Sequence, residues 1–346
     1  MFTKQKIKKL IVIFSFMLAL TLTCVFHTFL HPLIINLFAT RFDIVTARDN
    51  MLVHFINIGQ GDATAINFPD GKIMLIDSGP KGSNTTYINY LKENVTGLQR
   101  SNYIDYLVLS HADMDHCGGT MKLLENFQIG TIFMPKIESD SRGYQEILNF
   151  VENNCQFEVL GDEFLIETNE YKITFFEILN NSNTNDSSQV LKIESLDQSF
   201  LFVGDISSSV EKLYVEKYRS ELDADVLKVP HHGSRVATSD LFVDAVTPKY
   251  AVISVGAEND YGHPTSEVLE ILNENKVDVL RTDIHNDVLF VVGEDYNLFQ
   301  THGRYFITSL TLDYVMYVIV LDSCLMVLVL IIIIKKEKKK RIENKK

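Results

Sequence analysis

Residues 105–120 read Asp-Tyr-Leu-Val-Leu-Ser-His-Ala-Asp-Met-Asp-His-Cys-Gly-Gly-Thr, and this stretch constrains the chain more than any other. The apolar run Tyr106 to Leu109 reads as a short buried strand. Four candidate metal ligands, His111, Asp113, Asp115 and His116, then fall within six positions. Gly118 and Gly119 follow, and an amphipathic pattern begins at Met121. The order is strand, ligand-rich turn, helix. Packed dry, the two carboxylates would repel, and each would need a partner. A divalent cation resolves that conflict. A solvated acidic turn with two incidental histidines is the competing reading of the same letters.

The two ends of the 346-residue chain differ sharply from its middle. Residues 1–9 carry +4 and residues 335–346 carry +6 against a net −13, so the middle carries −23. Residues 10–30 are almost wholly apolar, close to the ~20 residues that cross a bilayer. Residues 314–334 are apolar again, with Asp322 as their one charge. Lysines flank the outer side of each segment, which predicts two transmembrane helices with both basic tails cytoplasmic and the middle extracytoplasmic. A cleaved signal peptide fits the first segment less well, because the apolar run is long and lacks a small-residue cleavage site. Asp322 is costly in lipid and suggests a membrane partner protein. Cys117 and Cys155 lie in the soluble part, with no Cys-x-x-Cys metal motif.

Residues 48–295 read as one α+β domain. Apolar runs at 54–57, 63–68 and 72–77 are joined by Gly59-Gln60-Gly61-Asp62 and Pro69-Asp70-Gly71, which predicts antiparallel strands. Helices are expected at 87–92, 144–151, 210–218, 239–246 and 266–273, and strands between them. Residues 180–188 read as a polar loop without core residues.

Other places put polar groups at strand ends, where sites gather. Gly59 to Asp62 reads equally as a hairpin turn or a site wall. Asp77-Ser78-Gly79 reads first as a turn or helix cap. Gly204-Asp205 follows a buried run. Pro230-His231-His232-Gly233-Ser234 is hard to explain structurally, since only one of two adjacent histidines can face a core. His263, in Tyr261-Gly262-His263-Pro264, is a lone loop histidine.

This order of motifs over about residues 51–292 resembles the metallo-β-lactamase fold. More narrowly, it resembles the extracytoplasmic hydrolase domain of ComEC-type competence proteins, which import DNA. The resemblance implies a four-layer αβ/βα sandwich, here flanked by one N-terminal and one C-terminal transmembrane helix. It also implies two divalent metal ions. His111 and Asp113 would bind the first and Asp115 and His116 the second. Asp205 would bridge them, and His231 would take the late histidine position, with His232 as the fallback. His263 would line the pocket. Asp113 stands where the wider fold has a second histidine. No histidine occurs between Cys117 and Pro230, so the fold's third-motif histidine is missing. Harder oxygen ligands leave the metal as Zn²⁺ or Mn²⁺.

Such a pair of cations suits hydrolysis by an activated water. Asp113 or Asp115 would orient that water, and His263 or His231 would pass a proton to the leaving group. The leading expectation is a membrane-anchored, metal-dependent phosphodiesterase or nuclease. The acidic middle lacks the basic footprint of most nucleic-acid binders, save a patch at Lys228, Arg235 and Lys249. It therefore also suits a small or cell-wall ester, lactam or lactone. A non-catalytic metal-binding module of a membrane complex is the third reading, supported by the missing histidine. Two spans cannot form the channel of ComEC proteins.

Overall fold

The computed structural model describes residues 50–96, 102–135, 139–292 and the backbone of 297–302. The expected spans 10–30 and 314–334 and both basic tails lie outside the described residues. Among the described residues no helix is long and apolar enough to cross a membrane.

Two sheets form the body. The first has eight strands in the order β15-β14-β1-β2-β3-β4-β5-β6: β1 Met51–Phe55, β2 Thr64–Asn67, β3 Ile73–Ile76, β4 Tyr103–Val108, β5 Gln128–Pro135, β6 Phe157–Leu160, β14 Asp287–Val292 and β15 Asn297–His302. The second has seven, in the order β13-β12-β11-β10-β9-β8-β7: β7 Phe164–Glu167, β8 Tyr171–Phe175, β9 Leu191–Ser195, β10 Gln198–Phe202, β11 Val226–Lys228, β12 Tyr250–Ile253 and β13 Asp278–Arg281. Strands β3 to β6 run parallel, as do β10 to β13.

The apolar runs are continuous because both faces of these strands are covered. In β3, Met74 and Ile76 join the core between the sheets, while Ile73 and Leu75 face a helix layer. The inter-sheet core is aromatic, with Phe55 stacked on Phe202 at 5.8 Å and edge-on to Phe290 at 5.9 Å. Burying one such ring contributes about 1.5–3 kcal/mol. Helices α1 Asn84–Tyr90, α3 Thr120–Asn126 and α4 Arg142–Asn154 cover the first sheet through Tyr87, Leu123, Tyr144, Ile147 and Val151. The short α2, Met114–Cys117, carries the ligand-rich turn into α3. Helices α5 Ser208–Tyr218, α6 Asp240–Val246 and α7 Ser266–Glu274 cover the second sheet, and α8 Thr282–His285 leads into β14. Val210, Tyr214 and Tyr218 recur every fourth residue, so α5 turns one buried stripe to the sheet. The result is the layered sandwich of two sheets between helices.

Residues 180–188 depart from expectation. The segment is polar but not all surface: Asp186, Ser187 and Ser188 are buried, and Gln189 N–H donates to the Ser110 carbonyl at 2.9 Å. The loop lacks apolar periodicity because its burial is held by hydrogen bonds rather than by hydrophobic packing. Cys117 and Cys155 are both free thiols.

Candidate metal centre

The site gathers at the carboxyl ends of β3, β4, β10 and β11, where parallel strands from both sheets finish. Two glycines let its loops close. A Cβ on Gly61 would lie 2.3 Å from the Asp115 carbonyl oxygen, and one on Gly119 would lie 2.2 Å from that of Ser78. Three site residues, none of them glycine, adopt left-handed backbone: Asp77 (φ 62), His231 (φ 50) and His232 (φ 52). Such strain costs about 1–3 kcal/mol per residue and tends to gather at functional sites.

The three inner histidines share one arrangement. Asp77 Oδ2 lies 2.7 Å from His116 Nδ1. A carboxylate only accepts, so that nitrogen carries the proton. Ser110 donates to Asp77 twice, N–H to Oδ1 and hydroxyl to Oδ2, each at 2.7 Å. With its proton committed, the Ser110 hydroxyl accepts from His111 Nδ1 at 3.0 Å. His232 Nδ1 donates to the Ser254 carbonyl at 2.9 Å. In each neutral imidazole the Nε2 lone pair therefore faces the centre. His116 Nε2 and His232 Nε2 are 3.4 Å apart. His111 Nε2 is buried with no hydrogen-bond partner. Asp205 brings one oxygen within 3.3 Å of His116 Nε2 and the other within 3.6 Å of His232 Nε2. Asp115 Oδ2 is 3.2 Å from His232 Nε2.

Converging nitrogen lone pairs between carboxylates fit a divalent cation, and outer partners that fix the tautomer are the usual support for such ligands. His111, His116 and Asp205 offer ligand atoms within 4.8 Å of one another. Asp62, His116 and His232 also lie that close. The Asp62 contacts, however, are to the outer Nδ1 atoms, at 3.9 Å and 3.6 Å. Asp62 already has a cation: Lys228 Nζ sits 2.7 Å from its Oδ2. We therefore assign Asp62 to the surround.

The electrostatics agree. Burial pushes the His116 imidazole down, but the Asp205 and Asp77 carboxylates override it and hold it well above its ordinary value. Burial raises the Asp205 carboxyl, yet the charges of His116 and His232 hold it well below the carboxylate range. Asp115 is held at about 2, against burial, by its hydrogen bond to His232 and the charge of His116. His111, lowered by burial and by the neighbouring His116, favours the neutral ligand form.

Of the expected residues, His111, Asp115, His116 and Asp205 meet here. Asp113 stands at the rim, its side chain 41% exposed and 4.0 Å from His111 Nε2. The resemblance gives His231 the late histidine position with His232 as the fallback; of the two, it is His232 whose Nε2 lies 3.2 Å from Asp115 and 3.4 Å from His116 Nε2. Successive left-handed residues bring the His232 ring into the centre, while His231 is 25% exposed with its Nε2 4.0 Å from Asp205. The His263 ring is 5.9 Å from that of His231, and its Nδ1 is buried without a partner. Asp77, read from sequence as a turn or cap, instead orients His116. Lys228 is buried beside Asp62, not part of a basic surface patch. Ser188 Oγ accepts from the Asp205 N–H at 3.0 Å, so the end of the polar segment 180–188 braces Asp205.

Residues 56–257 match the family model of the metallo-beta-lactamase superfamily. The chain belongs to this superfamily. It is a hydrolase of a fold that binds divalent metals. Over 275 residues it is 29% identical to ComE operon protein 3 of Bacillus subtilis, covering 75% of this chain and 35% of that protein. Over 200 residues it is 33% identical to competence protein ComA of Neisseria gonorrhoeae, covering 58% of this chain and 26% of that protein. The chain thus spans about a third or less of the length of these curated relatives. The solved metallo-beta-lactamase fold protein YhfI of Bacillus subtilis superposes with a TM-score of 0.47 at 12% identity, over 70% of this chain and 100% of that one.

Asp77→Asn is expected to weaken metal binding by about 10–100-fold, the usual cost of losing an outer partner. An amide turned to satisfy Ser110 N–H presents its NH₂ to His116 Nδ1. That shifts the His116 proton to Nε2 and removes the ligand lone pair. Metal titration followed by calorimetry checks it; unchanged affinity would mean that Asp77 does not set the tautomer.

Proposed function

We propose that this superfamily hydrolase is a membrane-anchored phosphodiesterase that cleaves single-stranded DNA outside the cytoplasm. The observation that carries it is the gathering of three buried histidines about two carboxylates: His111, His116 and Asp205 offer ligand atoms within 4.8 Å of one another, and Asp115 Oδ2 lies 3.2 Å from His232 Nε2. The names of two relatives, "competence protein" and "recombination protein", support DNA as the substrate. In this reading one or two divalent cations, Zn²⁺ or Mn²⁺, are held by His111, His116, Asp115, Asp205 and His232, with Asp113 at the rim. Bound there, they lower the pKa of a water and stabilise charge on the attacked phosphoryl group. Asp113 orients the attacking water. His263 is pushed down by burial and then by His232 and His231, which favours the base form; it would take up the proton the attacking water loses and, with His231, pass that proton to the leaving oxygen. Two spans at 10–30 and 314–334 would anchor the domain to membrane lipid beside a membrane partner protein.

The −23 charge of residues 10–334 favours a second reading, hydrolysis of a small ester, lactam or lactone. The full chain in detergent, assayed with Mn²⁺ and with Zn²⁺, separates the two. Metal-dependent cleavage of single-stranded DNA that a chelator stops is the expected result. Ester or lactam turnover without DNA cleavage would replace the first reading with the second. A protein that retains no metal by mass spectrometry would exclude both. A reporter fused after residue 300 is expected to be active outside the cytoplasm; activity inside would remove the two-span topology.

A further inference from the structure

Tyr261 is 70% exposed, more than any other large hydrophobic side chain among the described residues. A single exposed ring on a surface loop ordinarily needs no explanation. This one is built into the site. It stacks on His263, with centroids 5.6 Å apart and 24° between the planes. His263 meets His231 edge-on at 5.9 Å, and His231 Nε2 lies 4.0 Å from Asp205. Three rings therefore lead from the metal centre out to solvent.

The loop that carries Tyr261 is braced. Asn259 donates to the Gly256 carbonyl at 3.0 Å and to the His263 carbonyl at 2.7 Å, and it accepts from the His263 N–H at 3.0 Å. Gly256 N–H in turn donates to Gln60 Oε1 at 3.2 Å, tying the loop to the turn that carries Asp62. A ring held this way loses little conformational freedom when something packs on it. Its exposed neighbours, Glu258 and Asp260, are acidic. They repel phosphate and leave the flat apolar face as the attractive feature.

We propose that Tyr261, stacked on His263, is the platform for a nucleobase next to the scissile phosphodiester. This rests on the phosphodiesterase reading above and makes the substrate specific: a strand that carries bases, not any phosphodiester. Stacking tolerates every base because each has a π-face, so Tyr261 confers base dependence without sequence preference. Tyr261 is a specificity residue and takes no part in bond cleavage.

The test compares fluorescein-labelled phosphorothioate oligothymidylate with an abasic phosphorothioate strand of equal length. The full chain in detergent with Mn²⁺ is titrated and read by fluorescence anisotropy. Wild type is expected to bind the base-bearing strand about tenfold more tightly than the abasic one, the worth of one stacked base. That ratio is expected to collapse to near one in Tyr261→Ala and Tyr261→Leu, and to return in Tyr261→Phe. The leucine variant keeps apolar bulk and guards against a packing artefact. A ratio retained in both aromatic-lacking variants would overturn the assignment, as would equal loss on both strands, which points to a sugar or phosphate contact. A wild type without base preference would overturn it too. Base-dependent binding without cleavage of ordinary DNA would instead remove the proposed activity and leave this assignment standing.

Discussion

Asp205→Asn is expected to lower hydrolysis by about 10³-fold, equivalent to ~4 kcal/mol of lost charge stabilisation at the reacting group. Asp205 carries this weight because its two oxygens reach two histidines, 3.3 Å from His116 Nε2 and 3.6 Å from His232 Nε2. No other carboxylate among the described residues spans both nitrogens at those distances. An amide keeps the shape and the backbone support: the Asp205 N–H still donates to Ser188 Oγ, and a carbonyl oxygen still accepts from the His231 N–H. It removes the charge and one acceptor. The fold should therefore survive while metal retention fails. Turnover and bound metal measured on the same preparation check it together. A variant that keeps both stoichiometric metal and a rate within about tenfold of wild type would exclude Asp205 as the shared ligand, because a metal-bridging carboxylate is worth several kcal/mol.

Lys228→Met is expected to cost about 3–5 kcal/mol of stability, the penalty for stranding one member of a buried ion pair. For a domain of this size that is a fall in melting temperature on the order of 10 °C. Lys228 is 3% exposed and Asp62 5% exposed, so water cannot replace the lost partner. Asp62 Oδ1 already lacks a hydrogen-bond partner, which leaves the lysine contact at Oδ2 as its main support. The pH dependence has a definite sign. Burial pushes the Asp62 carboxyl up, but the charges of Lys228, His232 and His116 hold it below 3.8. Its contribution is therefore present above that value and fades as the pH falls through the folded-state pKa. The deficit of the variant should be largest at neutral pH and shrink in acid. The double variant Asp62→Leu with Lys228→Met should recover much of the loss, since an apolar pair of similar size is often neutral or better. Thermal melts across pH measure both. A single variant as stable as wild type at neutral pH would show that the pair is not buried in solution.

Much of the fold was legible because apolar runs reported burial directly. The apolar runs at 72–77 and 106–109 fall on the strands Ile73–Ile76 and Tyr103–Val108, and within the helix expected at 210–218 Val210, Tyr214 and Tyr218 form the buried stripe. The buried part of 180–188 was not legible, because hydrogen-bonded polar burial leaves no such pattern. The centre divides the same way. His111, Asp115 and His116 sit in one short turn, where spacing alone brings ligands together. Asp77, Lys228 and Ser254 lie far apart in sequence; Asp77 reads as a turn or cap and Lys228 as part of a basic patch until the sheets bring them in.

The sequence by itself determined an α+β domain and the ligand-bearing turn, because both follow from local periodicity and spacing; the layered sandwich was implied by the resemblance its motifs carry. Only the tertiary structure decided which of His231 and His232 turns into the cluster of His116, Asp115 and Asp205, since that rests on two consecutive left-handed residues held by the surrounding packing. It alone also decided that Lys228 neutralises Asp62 instead of meeting a substrate. A residue's letter states what it can donate or accept; the partner is chosen by strands that meet only when both sheets have closed.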